Sequence, residues 1–476
     1  MSTLYVDGVD TLLPILQAEA PYLGRYESLI LYPTPAEHDA LLQIASCCTH
    51  ISTLNISGAH QDSSIPFSPA ESIPANLWPR LTHLHLTQWT PFSHIMVEAV
   101  GSQLEYLEMT NQKAEHLQLI YQSLTQCTHL YQLRLSGVKS TEGFEWIPLL
   151  ASMTNLQAVS VSTPLRITSG TTTPPLPHLV SLEMTMSEDS AEEGYQWMGT
   201  LTQLTHLQTA VMTSHLSHMA CFTQLTCLQD LALDNPPTDQ PHVDTLYALI
   251  AALPALTYVR FTLASPYFVQ QGRDCILAMA PRLKKWEANQ GSASFDPQVI
   301  SALTKCPQLC RLACRLDFSI PDWEQGWNSW SHLKWLNIQM SYTFFSHFVT
   351  SFLQACKQPL VSLTRFAIKP QKGEVVLIPE HMSYLAEILQ RMPNLTQLGL
   401  PPIKGSLPPI TPLLESLTAL TELAVIQWFE RDFHVDLDAW MEKSGVIVLN
   451  QRSNPIVVRN RTKQATLLSY CFTWRY

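Results

Sequence analysis

One phrase recurs along this chain: an apolar residue, then Thr, Pro or Ser, then any residue, then L-x-x-L-x-L. It stands as WPRLTHLHL (78–86), CTHLYQLRL (127–135), MTNLQAVSV (153–161), LPALTYVRF (253–261), WSHLKWLNI (330–338), MPNLTQLGL (392–400) and LTALTELAV (417–425). Looser copies are CTHISTLNI (48–56), LEYLEM (104–109), LVSLEM (179–184), LTHLQT (204–209), LQDLAL (228–233), LKKWEA (283–288) and LTRFAI (363–368). With YESLIL (26–31) and CPQLCRLAC (306–314) there are sixteen. Between Leu54 and Leu423 the spacing averages about 26 residues, a period that signals stacked supersecondary units.

The segments between copies repeat apolar residues at three- and four-residue spacing, as in AEHLQLIYQSLTQC (114–127), HVDTLYALIAAL (242–253), DPQVISALTKC (296–306) and PEHMSYLAEILQRM (379–392). That periodicity predicts helices, and Asp or Pro at several openings suits helix starts. A short strand followed by a helix, stacked many times, is an α/β solenoid with parallel strands on the concave side and helices or loops on the convex side.

These motifs resemble the leucine-rich repeat family, of the ribonuclease-inhibitor-like and F-box-associated type, over roughly residues 23–430. The resemblance implies a curved horseshoe of about 16 repeats. It implies an N-terminal cap over 1–22 and a C-terminal cap with a basic tail over 431–476, where GVIVLN (445–450) alternates toward β. One departure matters. Where the family carries a bridging Asn or Cys after the last leucine, this chain has Ala59, Trp89, Gln112, Val138, Pro164 and Ser187. Irregular repeat geometry is the expectation. The Pro-, Ser- and Thr-rich stretches 59–79 and 162–178 read as loops in place of helices.

A hydrophobic share of 46% supplies a large core, and charged residues are only 14%, against about 25% in ordinary soluble chains. The net charge of −11 argues against nucleic-acid binding by the whole molecule. No stretch is long and apolar enough to span a bilayer, the N-terminus lacks a basic n-region, and none of the eleven cysteines forms a C-x-x-C pair. A cytoplasmic protein with reduced thiols is expected, the nucleus being the alternative.

Alternation along each strand sends the motif leucines inward and the intervening residues onto the concave face. The N-terminal repeats place Thr53, Asn55, His83, His85, Tyr106, Glu108, Arg134, Ser160 and Glu183 there, followed by His206, Gln208, Asp230 and Asp234. The character then turns basic with Arg260, Lys285, Arg311, Arg315, Arg365 and Lys369, opposed only by Glu287 and joined by Tyr258 and Trp335. These eight cationic and aromatic positions are the expected partner-binding site, for an acidic protein segment or a small polyanion. Arg311 and Arg315 are expected to flank Ala313 on an open face, and Trp335 to stand exposed as an aromatic anchor. Trp323, Trp327 and Trp330 have helical spacing and read as packing.

Cys306 and Cys314 occupy apolar motif slots and read as inert core thiols. His83 with His85, and His215 with His218 and Cys221, have spacings that suit a metal, but no further ligand completes either set, so they read as polar surface. The basic residues after Glu442 (Lys443, Arg452, Arg459, Arg461, Lys463 and Arg475) are interleaved with apolar residues and read as part of the cap. No G-x-G-x-x-G, Walker loop, H-E-x-x-H or G-x-S-x-G occurs, and sixteen glycines include no phosphate-cradling run. No enzyme, cofactor or metal is expected. The reading is a non-catalytic protein-interaction scaffold. The alternatives are the substrate-recognition subunit of a cullin ubiquitin ligase, which the resemblance implies, and a polyanion binder. The cullin reading needs an F-box, and residues 10–23 (DTLLPILQAEAPYL) give only a faint echo of one before the first repeat at Tyr26.

Overall fold

The computed structural model describes residues 3–7, 27–32, 50–56, 78–87, 91–110, 117–137, 144–167, 176–211, 213–235, 240–261, 270–288, 297–316, 330–340, 359–370, 379–400, 422–425 and 447–450. The chain divides into two compact units, one of residues 1–234 with 253–255, the other of 235–252 with 256–476.

The first unit stacks ten described strands: β1 (Thr3–Asp7), β2 (Ser28–Tyr32), β3 (Thr53–Ile56), β4 (His83–Leu86), β5 (Tyr106–Met109), β6 (Gln132–Leu135), β7 (Ala158–Leu165), β8 (Ser181–Met186), β9 (His206–Ala210) and β10 (Asp230–Asp234). Each pairs in parallel with the next in chain order. Between them run α1 (Pro91–Val100), α2 (Leu117–Leu124), α3 (Ile147–Ser152), α4 (Ala191–Thr200) and a 3-10 helix over Thr213–Gln224. The second unit opens with α5 (Gln240–Ala252) and stacks β11 (Tyr258–Phe261), β12 (Lys285–Ala288), β13 (Arg311–Leu316), β14 (Trp335–Met340), β15 (Arg365–Pro370), β16 (Gln397–Leu400), β17 (Glu422–Val425) and β18 (Ile447–Asn450). These too pair in parallel and in order. Helices α6 (Gln270–Met279), α7 (Pro297–Leu303) and α8 (Pro379–Gln390) connect them.

All sixteen motif copies are strands, β2 to β17, and the four helices read from periodicity are present as α2, α5, α7 and α8. The fold is an α/β solenoid of leucine-rich-repeat type. Its cause is visible in the register. Leu29, Leu54, Leu84, Leu107, Leu133, Val159, Leu182, Leu207 and Leu231 sit opposite one another across the first unit, each at most 2% exposed. Val259, Trp286, Leu312, Leu336, Phe366 and Leu398 form the matching row of the second. Burying each such side chain is worth about 1.5–3 kcal/mol, so a one-residue slip of any strand would lose its whole share.

The expected irregularity is not found within the described strands, apart from one register shift between Val161 and Leu165. A backbone ladder ties neighbouring repeats together at the strand entries. The residue before most described strands offers its carbonyl to two N–H groups of the next repeat: Ser52 and Thr53 donate to Glu27, Thr82 and His83 to Ser52, Lys334 and Trp335 to Cys310. Where that residue is Ser or Thr, its hydroxyl often joins the same carbonyl, as with Ser52 to Glu27 (3.2 Å), Thr205 to Val180 (3.1 Å), Thr364 to Lys334 (3.1 Å) and Thr396 to Thr364 (3.0 Å). The stretch 162–178 is also not wholly loop. Its first residues extend β7 to Leu165, because Phe144 bridges to that edge, donating its N–H to Pro164 O at 2.9 Å and accepting that of Arg166 at 3.0 Å.

Candidate binding face

The outward positions of the strands line up in rows. In the second unit the first row runs Tyr258, Lys285, Arg311, Trp335, Arg365 and Gln397 across β11 to β16. The second row runs Arg260, Glu287, Ala313, Asn337, Ala367 and Gly399. The backbones of Arg315, Gln339 and Lys369 stand in register across β13 to β15. The register thus brings Tyr258, Arg260, Lys285, Arg311, Trp335 and Arg365 onto one face of five neighbouring strands. The side chains of Arg315 and Lys369 lie outside the described residues.

That face is a packed polar layer. The Arg311 guanidinium lies over the Trp335 ring, 4.0 Å from its centre, and its Nε is ion-paired with Glu287. The Lys285 ammonium stands 5.0 Å above the ring of Tyr258. Glu287 is a 3% exposed carboxylate, and desolvation together with this acid raises the Tyr258 pKa above the ordinary tyrosine value. Two expectations are corrected here. Trp335 is 8% exposed because Arg311 covers it, and Ala313 is fully buried, so the face is closed at that position. Strand alternation fixes which side a residue faces. It does not fix whether larger neighbours lie over it.

Cys306 and Cys314 are buried, and desolvation pushes both thiols up to about 12. Trp330 is fully buried and donates its indole N–H to Leu303 O at 2.9 Å. Trp323 and Trp327 lie outside the described residues, as does the C-terminal basic run.

The first unit carries a second cluster, whose residues read from sequence as separate surface positions. Glu108 on β5 accepts from the Tyr106 hydroxyl at 2.8 Å, meets His85 Nδ1 on β4 at 3.0 Å and faces Arg134 Nε on β6 at 3.6 Å. These partners, the His85 contact foremost, hold its carboxyl down at about 2. His83 stacks on Tyr106 at 5.6 Å and touches the Tyr131 hydroxyl at 3.3 Å, and burial lowers its pKa. Tyr131, the residue before β6, was not legible as a member. Only the three-dimensional register shows it.

Two constellations bear on catalysis. His94 on α1 meets Ser123 on α2 through Nδ1 and Glu98 through Nε2 at 3.4 Å. Ser123 is fully buried and its hydroxyl donates to Leu119 O at 3.0 Å, so its oxygen is closed to any substrate. Cys221 lies near His218, which pairs with Glu192 at 3.5 Å, yet desolvation pushes the thiol up to about 11, away from a nucleophilic thiolate. Among the described residues no group of three or more His, Cys, Asp or Glu is placed to hold a metal, and no described helix is long and apolar enough to cross a membrane.

No protein-family model matches the chain, and a search of curated proteins finds no match. Among solved structures it is similar to a chain of the Rad7 and Elc1 complex in yeast, at 15% identity and a TM-score of 0.38, covering 70% of this chain and 83% of that one. It is also similar to a chain of the Toll–Spatzle complex of Drosophila, at 12% identity and a TM-score of 0.34, covering 94% of this chain and half of that one.

Proposed function

We propose that this protein is a non-catalytic recognition module that captures an acidic protein segment on the outward face of β11 to β15. One observation carries the reading. The first two rows of these five strands present Lys285, Arg260, Arg311 and Arg365 with Glu287 as the sole carboxylate, and the aromatic rings of Tyr258 and Trp335 support two of the cations. Cations held on aromatic faces keep their geometry, and a complementary field steers an acidic partner to them. The burial of Ser123 and the high pKa of Cys221 support a binding role over a hydrolytic one.

Affinity capture with the wild type and with a Lys285→Glu, Arg311→Glu, Arg365→Glu variant, read by mass spectrometry, tests this. The reading expects acidic partners retained by the wild type and lost by the variant. Equal recovery from both would remove the face from consideration. A cullin adaptor recovered from both proteins would add the role of ubiquitin-ligase recognition subunit.

A further inference from the structure

This inference rests on the reading above and sharpens it to one residue. We propose that Arg311 is the specificity-determining anchor of the face, a guanidinium held ready for a single carboxylate of a partner protein. The Trp335 ring fixes its plane and the buried Glu287 carboxylate fixes its Nε.

The geometry is that of a built receptor. A surface arginine samples many rotamers and loses that freedom when it binds. Here the loss has already been met within the fold, because the guanidinium is stacked at 4.0 Å and its Nε is buried against Glu287. Glu287 is itself held within the packed layer, its side chain only 4% exposed. The Arg311 side chain remains 38% exposed, which leaves its two terminal nitrogens as the fork that meets a ligand. Two parallel N–H groups match the two oxygens of a carboxylate.

Charge then decides between ligand classes. Glu287 cancels the charge of Arg311, so this point offers geometry more than field. A polyphosphate draws its affinity from summed positive charge and gains little from a neutralised pair. A carboxylate gains from the fork. Lys285, in register one strand away at about 4.8 Å, offers a second contact to the same partner segment. Lysine at position 311 would keep the charge and lose both the planar stack and the fork.

The test is calorimetric titration of the full chain with hexaglutamate and, separately, with inositol hexakisphosphate. Arg311→Lys and Trp335→Leu are each expected to weaken hexaglutamate about tenfold while changing the hexakisphosphate response little. Wild-type affinity in Arg311→Lys would show that charge alone suffices and overturn the anchor. The Lys285→Glu, Arg311→Glu, Arg365→Glu variant separates the two claims: if it binds hexaglutamate like the wild type, the face itself is wrong. If it loses binding while Arg311→Lys does not, only the anchor is wrong. Should either single variant melt without cooperativity, arginine modification by phenylglyoxal on the wild type replaces it. Hexaglutamate is expected to protect Arg311, and hexaglutamine is not. Equal modification in both would overturn the proposal.

Discussion

Glu108 and Glu287 solve the same problem in the two units. Each stands on the second outward row and pairs with an arginine on the following strand (Arg134 and Arg311), and Glu108 also accepts from the Tyr106 hydroxyl. A carboxylate withdrawn from water, nearly fully at Glu287 and in part at Glu108, is costly unless its oxygens are occupied, and the register delivers the partners. For Glu108 this has a pH consequence. Its folded-state carboxyl is depressed from the ordinary 4.5 to about 2, so the unfolded chain binds the proton first. The stabilisation is present above about pH 4.5 and drains away as pH falls toward 2. Chemical denaturation across that window should show Glu108→Gln losing less stability on acidification than the wild type. Parallel curves would mean the pairing contributes nothing. None of this was legible in the sequence, because HLH, YLEM and LRL lie in different repeats and only the strand register makes neighbours of them.

Individual elements were largely legible. Period-two leucines gave the strands and three-to-four spacing gave α2, α5, α7 and α8, since both patterns follow from which face must be buried. The extension of β7 through Pro164 was not, because proline reads locally as a loop and the edge it meets, Phe144, is contributed from elsewhere in the chain. What joins the elements was also hidden, although its sign stood in the motif as the Thr of L-T-x-L. Thr205 and Thr364 each donate a hydroxyl hydrogen bond to the preceding repeat's carbonyl, at 3.1 Å in both cases. Thr205→Val and Thr364→Val keep the shape and remove the donor, and each should cost about 0.5–1.5 kcal/mol in equilibrium unfolding. No change for either would mean that the two backbone N–H groups already suffice and the hydroxyl ladder is incidental.

At the scale of the whole chain, each unit presents rows of side chains whose identity the fold does not constrain, and this is where function can be written. The residues of the second unit's basic rows were readable in advance because alternation sorts inward from outward. Their state was not: Trp335 lies beneath Arg311, and Ala313 is buried, outcomes of side-chain size across strands that no single repeat encodes. The central claim is that this face binds acidic protein segments through its cations. The direct measurement is the dissociation constant of hexaglutamate for the wild type and for Lys285→Glu, Arg311→Glu, Arg365→Glu, at low and at physiological ionic strength. The account predicts a loss of at least about tenfold in the variant, with wild-type binding weakened by salt and the variant's nearly insensitive to it. Equal affinities at both ionic strengths would contradict it.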